Sequence, residues 1–347
     1  MAVAAVVCAA AQTQAPMTLR YDRTARVFRE SLPIGNGKMG ALIYGGTDDN
    51  VIFLNDITLW TGKPVDKDLD RDAHQWIPKI REALFSEDYR KADSLQRHVQ
   101  GPNSQFYQPL ATLHIRHLDA AGATGYYREL SLDSAIARDH YTCGTQTVSR
   151  EYFASAPDHL IAIRLKGRCL NLQLSLTGQT PHHAKATNSQ ITMTGHATGD
   201  PQQTIHFCTI LKAKTDGQLS AADSTLTVSD ATEVTLYIVN ETSFNGYNHH
   251  PVSEGADYLT LAANAVWHTE NISYDEARQR HVDDYRHYYD RVRLRLGANA
   301  LSAMAADYDG PTDQLLRAYT TDSTLAPAAA RYLETLYFQY GRYLLIA

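Results

Sequence analysis

Residues Leu32–Gly62 read LPIGNGKMGALIYGGTDDNVIFLNDITLWTG, and their reading decides the fold. Gly35, Gly37, Gly40, Gly45 and Gly46 mark sharp turns or close backbone approach. Two short, bounded apolar runs accompany them, Ala41–Tyr44 and Val51–Leu54, each of strand length. The second run leaves through Asn55, Asp56, Thr58 and Trp60, polar and aromatic groups at a strand exit. By pattern alone the stretch predicts a glycine-rich antiparallel hairpin with a packed tryptophan.

Downstream the same logic repeats. Between Asn171 and Asn240, Leu172, Leu174 and Leu176 share one face, as do Ile191 with Met193. Ile205, Phe207, Thr209 and Leu211 form another such set, and Val234, Leu236 and Ile238 a further one. Period-two alternation broken by turns such as Thr215-Asp216-Gly217 predicts antiparallel strands with one buried face. Many such strands in series predict a β-sandwich. The fold expected is therefore mainly β, a large antiparallel β-sandwich over residues 19–297.

Helical patterns interrupt it. Ile77, Ile80 and Leu84 recur at helical spacing with Pro78 early, and Ser86 precedes a second apolar set of Ala92, Leu95 and Val99. This predicts a helical insertion near 72–100, Ser86 capping its second helix, whose simplest role is to cover a sheet. Ser273-Tyr274-Asp275-Glu276 has the form of a capping box and predicts a helix to about Asp290. Arg291–Gly297 reads as a short closing strand, and Asn299–Ala330 as a loose connector. Arg331–Ile346 reads as an amphipathic helix with Leu333, Leu336, Tyr337, Tyr340 and Leu344 on one face.

The composition of the 347 residues excludes several classes. A net charge of −6 argues against a nucleic-acid surface. No apolar run approaches the roughly 18 residues of a membrane span. Cys8, Cys143, Cys169 and Cys208 lack metal spacing. The last three read as small buried apolar residues, with one disulfide left open in an oxidising compartment. His182 and His183 read as exposed loop residues, and Arg150 with Glu151 as a solvated or structural pair. No cofactor is expected. Met1–Ala11, MAVAAVVCAAA, ends in an A-x-A form, so residues 1–18 read as a signal or leader remnant. That predicts a periplasmic or secreted, bacterial-like protein.

LPIGNGKMGALIYGG followed by LNDITLWTG resembles the N-terminal domain of glycoside hydrolase family 95, whose members are mostly α-L-fucosidases. The likeness continues through Tyr126–Gly167, the TSFNG segment and Pro311-Thr312-Asp313. Phe28 and Glu30 stand where the family carries an aromatic and an acidic residue. Ala111 and Thr112 depart from its usual glycine and aspartate. Arg331–Ile346 resembles the first helix of the family's catalytic α/α barrel, so residues 298–347 read as a linker and an incomplete start of that barrel.

The resemblance implies inverting hydrolysis of α-L-fucosyl bonds in a fucosylated oligosaccharide or glycan. An acid and a water-activating base roughly 6.5–9.5 Å apart perform such a reaction. In the family these groups, a glutamate with asparagines and an aspartate, belong to the barrel. Only 17 residues follow Ala330, so no residue here is expected to match a catalytic position, and the C-terminal catalytic domain is expected to be missing from this chain. The chain alone is expected to be inactive. The sandwich residues expected to touch sugar are Asn36, Asn55 and Trp60, the amides for hydroxyls and the indole for stacking. The polar loop with Asn245, Tyr247, His249 and His250 is a second candidate, since loops on rigid sandwiches carry function. The alternative is a stand-alone carbohydrate-binding or structural β-sandwich module.

Overall fold

The computed structural model describes residues 17–65, 71–101, 105–119, 122–294, 296, 310–322 and 324–347. The leader reading lies almost wholly outside them, as do residues 299–309 of the connector. Fourteen strands hydrogen-bond into one antiparallel sheet. In chain order they are β1 (Thr18–Tyr21), β2 (Leu32–Gly35), β3 (Met39–Ile43), β4 (Asp49–Asp56), β5 (Ala111–His117), β6 (Ala123–Ser131) and β7 (Ile136–Cys143). There follow β8 (Gln146–Ser155), β9 (Leu160–Thr177), β10 (His182–Thr187), β11 (Gln190–His196), β12 (His206–Thr215), β13 (Gln218–Ala222) and β14 (Thr225–Thr242).

The two 18-residue strands explain how one sheet makes two layers. The first half of β9 pairs β8, and its second half pairs β5. Strand β14 pairs β13 in its first half and β12 in its second, with register shifts around Ala231. Asp230 takes a left-handed φ of 56° at that bulge. Each long strand thus passes from one layer into the other. Leu172, Leu174, Ile191, Met193, Phe207, Leu211, Leu236 and Ile238 are all buried in a common core, as the alternation predicts.

Helices α1 (Ile77–Phe85) and α2 (Tyr89–Gln96) form the insertion. They do not cover a sheet. Only Ala83 and Ala92 are buried, while Ile77, Leu84, Phe85 and Tyr89 face solvent. Asp88 caps α2 by accepting from the Lys91 N–H at 3.1 Å, and Ser86 instead ends α1. Helices α3 (Tyr258–Glu270) and α4 (Tyr274–Tyr289) cover the outer face of β8, β12 and β14. Ala262, Ile272, Ala277 and Val282 pack there on Phe153, Cys208, Tyr237 and Val239. Strand β14 is therefore buried on both faces from Val234 to Asn240, where alternation predicted one. The capping box forms: Ser273 Oγ accepts from the Glu276 N–H, and Glu276 Oε2 from the Ser273 N–H.

Among the described residues of Arg291–Gly297 no strand forms: residues 292–294 are coil, with the Val292 carbonyl accepting from Arg342 at 2.6 Å, and 295 and 297 lie outside the described residues. The connector is not uniformly loose. Thr312–Thr321 forms α5, tied to β1 through Thr312 Oγ1, which accepts from the Arg20 N–H at 2.9 Å. Helix α6 (Pro327–Ile346) packs on the sandwich. Its buried arc is Leu333, Leu336, Gln339 and Tyr343; Tyr337 and Leu344 point outward. Tyr343 Oη donates to Pro33 O at 2.7 Å. A Cβ at Gly35 would lie 2.8 Å from the Ala347 carbonyl oxygen, so glycine lets the helix end approach β2.

Arg150 and Glu151 are not a pair. Neighbours on a strand point to opposite faces. Arg150 is buried against Asp139 at 2.6 Å, while Glu151 accepts from Arg138 and Arg278 on the outer face. His182 and His183 are exposed but lie on β10. Of the three described cysteines, only Cys208 is buried; Cys143 is half-buried and Cys169 exposed, and Cys8 lies outside the described residues.

The fold carries a pH dependence. His117 is half-buried at the end of β5, its Nε2 3.0 Å from Tyr141 Oη. Burial and then the Arg150 charge push its imidazole from 6.5 down to about 4. Burial also pushes His281 down, against the Ala135 and Ser134 carbonyls. The unfolded chain takes up these protons near pH 6.5 and the folded chain does not. Stability should fall as pH drops from about 6.5 to about 4, with His117 alone contributing on the order of 3 kcal/mol. Urea denaturation at about pH 7 and about pH 4.5 measures it. His117→Phe should flatten the fall; an unchanged slope would contradict the assignment.

Candidate functional site

The exit of β4 is built around Asp56. Its carboxylate is fully buried. Oδ1 accepts from the Thr58 N–H and hydroxyl at 2.9 and 2.6 Å, and Oδ2 from Asn240 Nδ2 at 2.8 Å. Asn240 Oδ1 in turn accepts from Thr209 Oγ1, and Thr58 Oγ1 meets Thr242 Oγ1 at 2.6 Å. Each buried polar group is thus satisfied, and the turn after β4 is fixed to the end of β14. Lys38 adds a second tie, to Asn240 O and the Glu241 carboxylate.

Two cavities flank this turn. One, of about 330 Å³, lies between the β2–β3 hairpin and the end of α6 and includes Lys38, Asn55, Tyr107 and Tyr343. The other, of about 280 Å³, lies between residues 60–65 and the loop after β14. Trp60, Lys63, Gln105, Phe244, Asn245 and Tyr247 line it. Trp60 and Tyr107 stand edge to face with centroids 5.4 Å apart, and the pair separates the two spaces. Burial, and then the charge of Asp56, push the Tyr107 phenol up.

The three residues expected to touch sugar do not converge. Asn36 is consumed by backbone: its Nδ2 donates to Ser155 O, and its Oδ1 accepts from the Met39 and Lys38 N–H groups. Asn55 lines the first cavity and Trp60 the second. Trp60 Nε1 donates to Ile57 O at 2.8 Å. Of the second candidate loop, Asn245, Tyr247 and His249 reach the Trp60 cavity. His250 instead accepts from the Val252 and Ser253 N–H groups and holds the loop shut.

Sequence reading missed Gln105, Phe244 and Lys38. Gln105 is close in space because Thr61 and Phe106 exchange hydrogen bonds. Gly62, at φ 73°, passes so near the Gln105 amide that a Cβ would overlap it. The glycine of LWTG was the available signal.

Among the described residues, no Asp or Glu side chain lines either cavity. A third cleft, of about 270 Å³, is bordered by residues Asp139 and Glu151; the Asp139 carboxylate is buried against Arg150 beneath it, and Arg138 binds Glu151. Burial works against the Glu151 carboxylate, yet Arg138 and Arg278 overcome it and hold its pKa below the ordinary value. Among the described residues no three His, Cys, Asp or Glu side chains are placed to hold a metal, and no helix is long and apolar enough to cross a membrane. What the described residues offer in these cavities is aromatic and amide surface held in fixed positions.

The profile described as glycosyl hydrolase family 65, N-terminal domain, matches residues 19–247. The profile of the glycosyl hydrolase family 95 catalytic domain matches residues 273–347. "Alpha-L-fucosidase 2" of Arabidopsis thaliana is 28% identical over 96% of this chain and 42% of its own length. "Probable alpha-fucosidase A" of Aspergillus niger is 27% identical over 91% of this chain and 41% of its own. A solved putative kojibiose phosphorylase from human microbiome aligns with TM-score 0.47 and 11% identity, over 80% of this chain and 39% of that one. The chain spans about two-fifths of the length of these curated relatives. With more than half of its residues in the first profile, the chain belongs to the glycosyl hydrolase family 65 N-terminal-domain family, and its last helices are similar to the family 95 catalytic domain.

Proposed function

We propose that this chain is the sandwich and helical opening of a glycoside hydrolase that removes terminal α-L-fucosyl residues from glycans with inversion. The acid and base reside in the helical part, and the sandwich seats that part and holds glycan. One observation carries this reading. Helix α6 is cemented into the sandwich core by Leu336 and Tyr343, while its other side presents Tyr337, 79% exposed, with Phe338 and Leu345. An outward apolar stripe on a docked helix fits a helical layer packed outside it. The relatives' names supply the fucosyl specificity. The alanine-rich opening of the chain supports export.

The test uses a protein that carries this sandwich together with a complete helical domain. Given an α-L-fucosylated oligosaccharide, it should release fucose that appears first as the β-anomer in proton NMR. First appearance of the α-anomer would overturn inversion, and release of another sugar would overturn the substrate. The second reading, a stand-alone glycan-binding module, is favoured by the cavity at Trp60.

A further inference from the structure

Packing does not account for the Trp60 cavity. Trp60 is 40% exposed, Phe244 41% and Tyr247 86%, and all three border one space. Exposed aromatics gathered in a concavity point to a ligand more than scattered ones do. The Trp60 indole N–H is already bound to Ile57 O, and Tyr107 supports the ring from the side. Its orientation is fixed and its polar handle is used, so it offers solvent a ring face.

The polar wall is equally fixed. Gln105 accepts from Thr61 Oγ1 and donates to Lys63 O, holding the strap of residues 61–65 beside the ring. Asn245 gives its Nδ2 to Glu254 O at 2.8 Å, which leaves Oδ1 as an acceptor. The Glu254 carboxylate accepts from the His250 N–H and braces the same loop. Set among these, the cavity of 280 Å³ is at the small end of ligand sites, roughly 300–1,000 Å³. It has room for one sugar ring and not for a chain.

We propose that this cavity is a non-catalytic site for one neutral pyranose of a glycan. The ring's C–H face stacks on Trp60, its hydroxyls meet Asn245 and Lys63, and Tyr247 forms the outer wall. The site rests on the reading that the protein handles glycans, and it adds the place where the sandwich holds them. Its position beside the exit of β4 lets one sugar be held while another part of the same glycan is worked on elsewhere.

Titration of the 347-residue chain with L-fucose, lactose and a fucosylated lactose, followed by NMR of the tryptophan indoles, tests it. Sorbitol serves as the open-chain control. The Trp60 signal should move with at least one pyranose and a Kd on the order of 1 mM. Trp60→Ala should weaken binding about tenfold or more, and Trp60→Phe should keep most of it. Tyr247→Ala, at a position too exposed to affect folding, should weaken it several-fold. Equal binding by sorbitol, wild-type affinity in both alanine variants, or tighter binding of a uronic acid than of its neutral counterpart would overturn the site. A complete protein that releases fucose but binds nothing at Trp60 would sink this site alone. One that binds sugar at Trp60 but releases no fucose would sink the hydrolase reading alone.

Discussion

Arg150→Met is expected to destabilise the fold by about 3–5 kcal/mol, the cost of leaving a buried partner charge uncompensated. Both members of the Arg150–Asp139 pair are buried, and they meet at 2.6 Å. Arg150 also donates to Gly46 O at 2.8 Å and Gly45 O at 3.1 Å, and lies over the Tyr141 ring. Asp139 accepts a second bond from Tyr152 Oη, which itself accepts from Asn50 Nδ2. Burial raises the Asp139 pKa, with Arg150 and Tyr152 opposing. Burial also works against the Arg150 cation, but Asp139 and the neighbouring tyrosines outweigh it and raise its pKa. The short contact and the three further acceptors and donors favour the charged pair as the form present near neutral pH.

Removing the guanidinium strands the Asp139 carboxylate and two glycine carbonyls together. For a chain of this size the melting temperature should fall by roughly 4–7 °C. The double variant Arg150→Met with Asp139→Leu should recover part of the loss, because no buried charge is left behind. A melting temperature for Arg150→Met within about 2 °C of wild type would show that the pair is replaceable.

This network explains why two separate stretches of sequence are legible as one family feature. Gly45 and Gly46 come from the opening hairpin and Arg150 from β8, yet they are bonded to each other. Periodicity exposed the sandwich because a half-buried strand must alternate. The capping box was legible because both its partners lie within four residues. What depended on distant partners was not. That Arg150 and Glu151 face opposite ways follows from pleating, but their partners Asp139 and Arg138 follow only from the β7–β8 register. The insertion helices look amphipathic, yet nothing in them states that they pack on each other and leave Phe85 in solvent. On α6 apolar residues occupy most of the circumference, so the buried arc is set by the shape of the sandwich beneath it. Trp60 was legible as a candidate, but its meeting with Tyr247 is a matter of topology alone.

The second large effect concerns chemistry. Inverting hydrolysis needs a free acid and a base roughly 6.5–9.5 Å apart across a sugar. Among the described residues, Asp56 is buried and bonded to Thr58 and Asn240. Asp139 is held by Arg150 and Tyr152, and Glu151 by Arg138, Arg278 and Tyr274. These three carboxylates are thus structural anchors that cannot give up their partners without loosening the sheet.

Incubating purified 347-residue chain with a fucosylated oligosaccharide and measuring free fucose asks directly whether the sandwich only seats and holds. No release above the uncatalysed background is the predicted result. Turnover on the order of 1 s⁻¹, proportional to chain concentration and lost on heat denaturation, would contradict it.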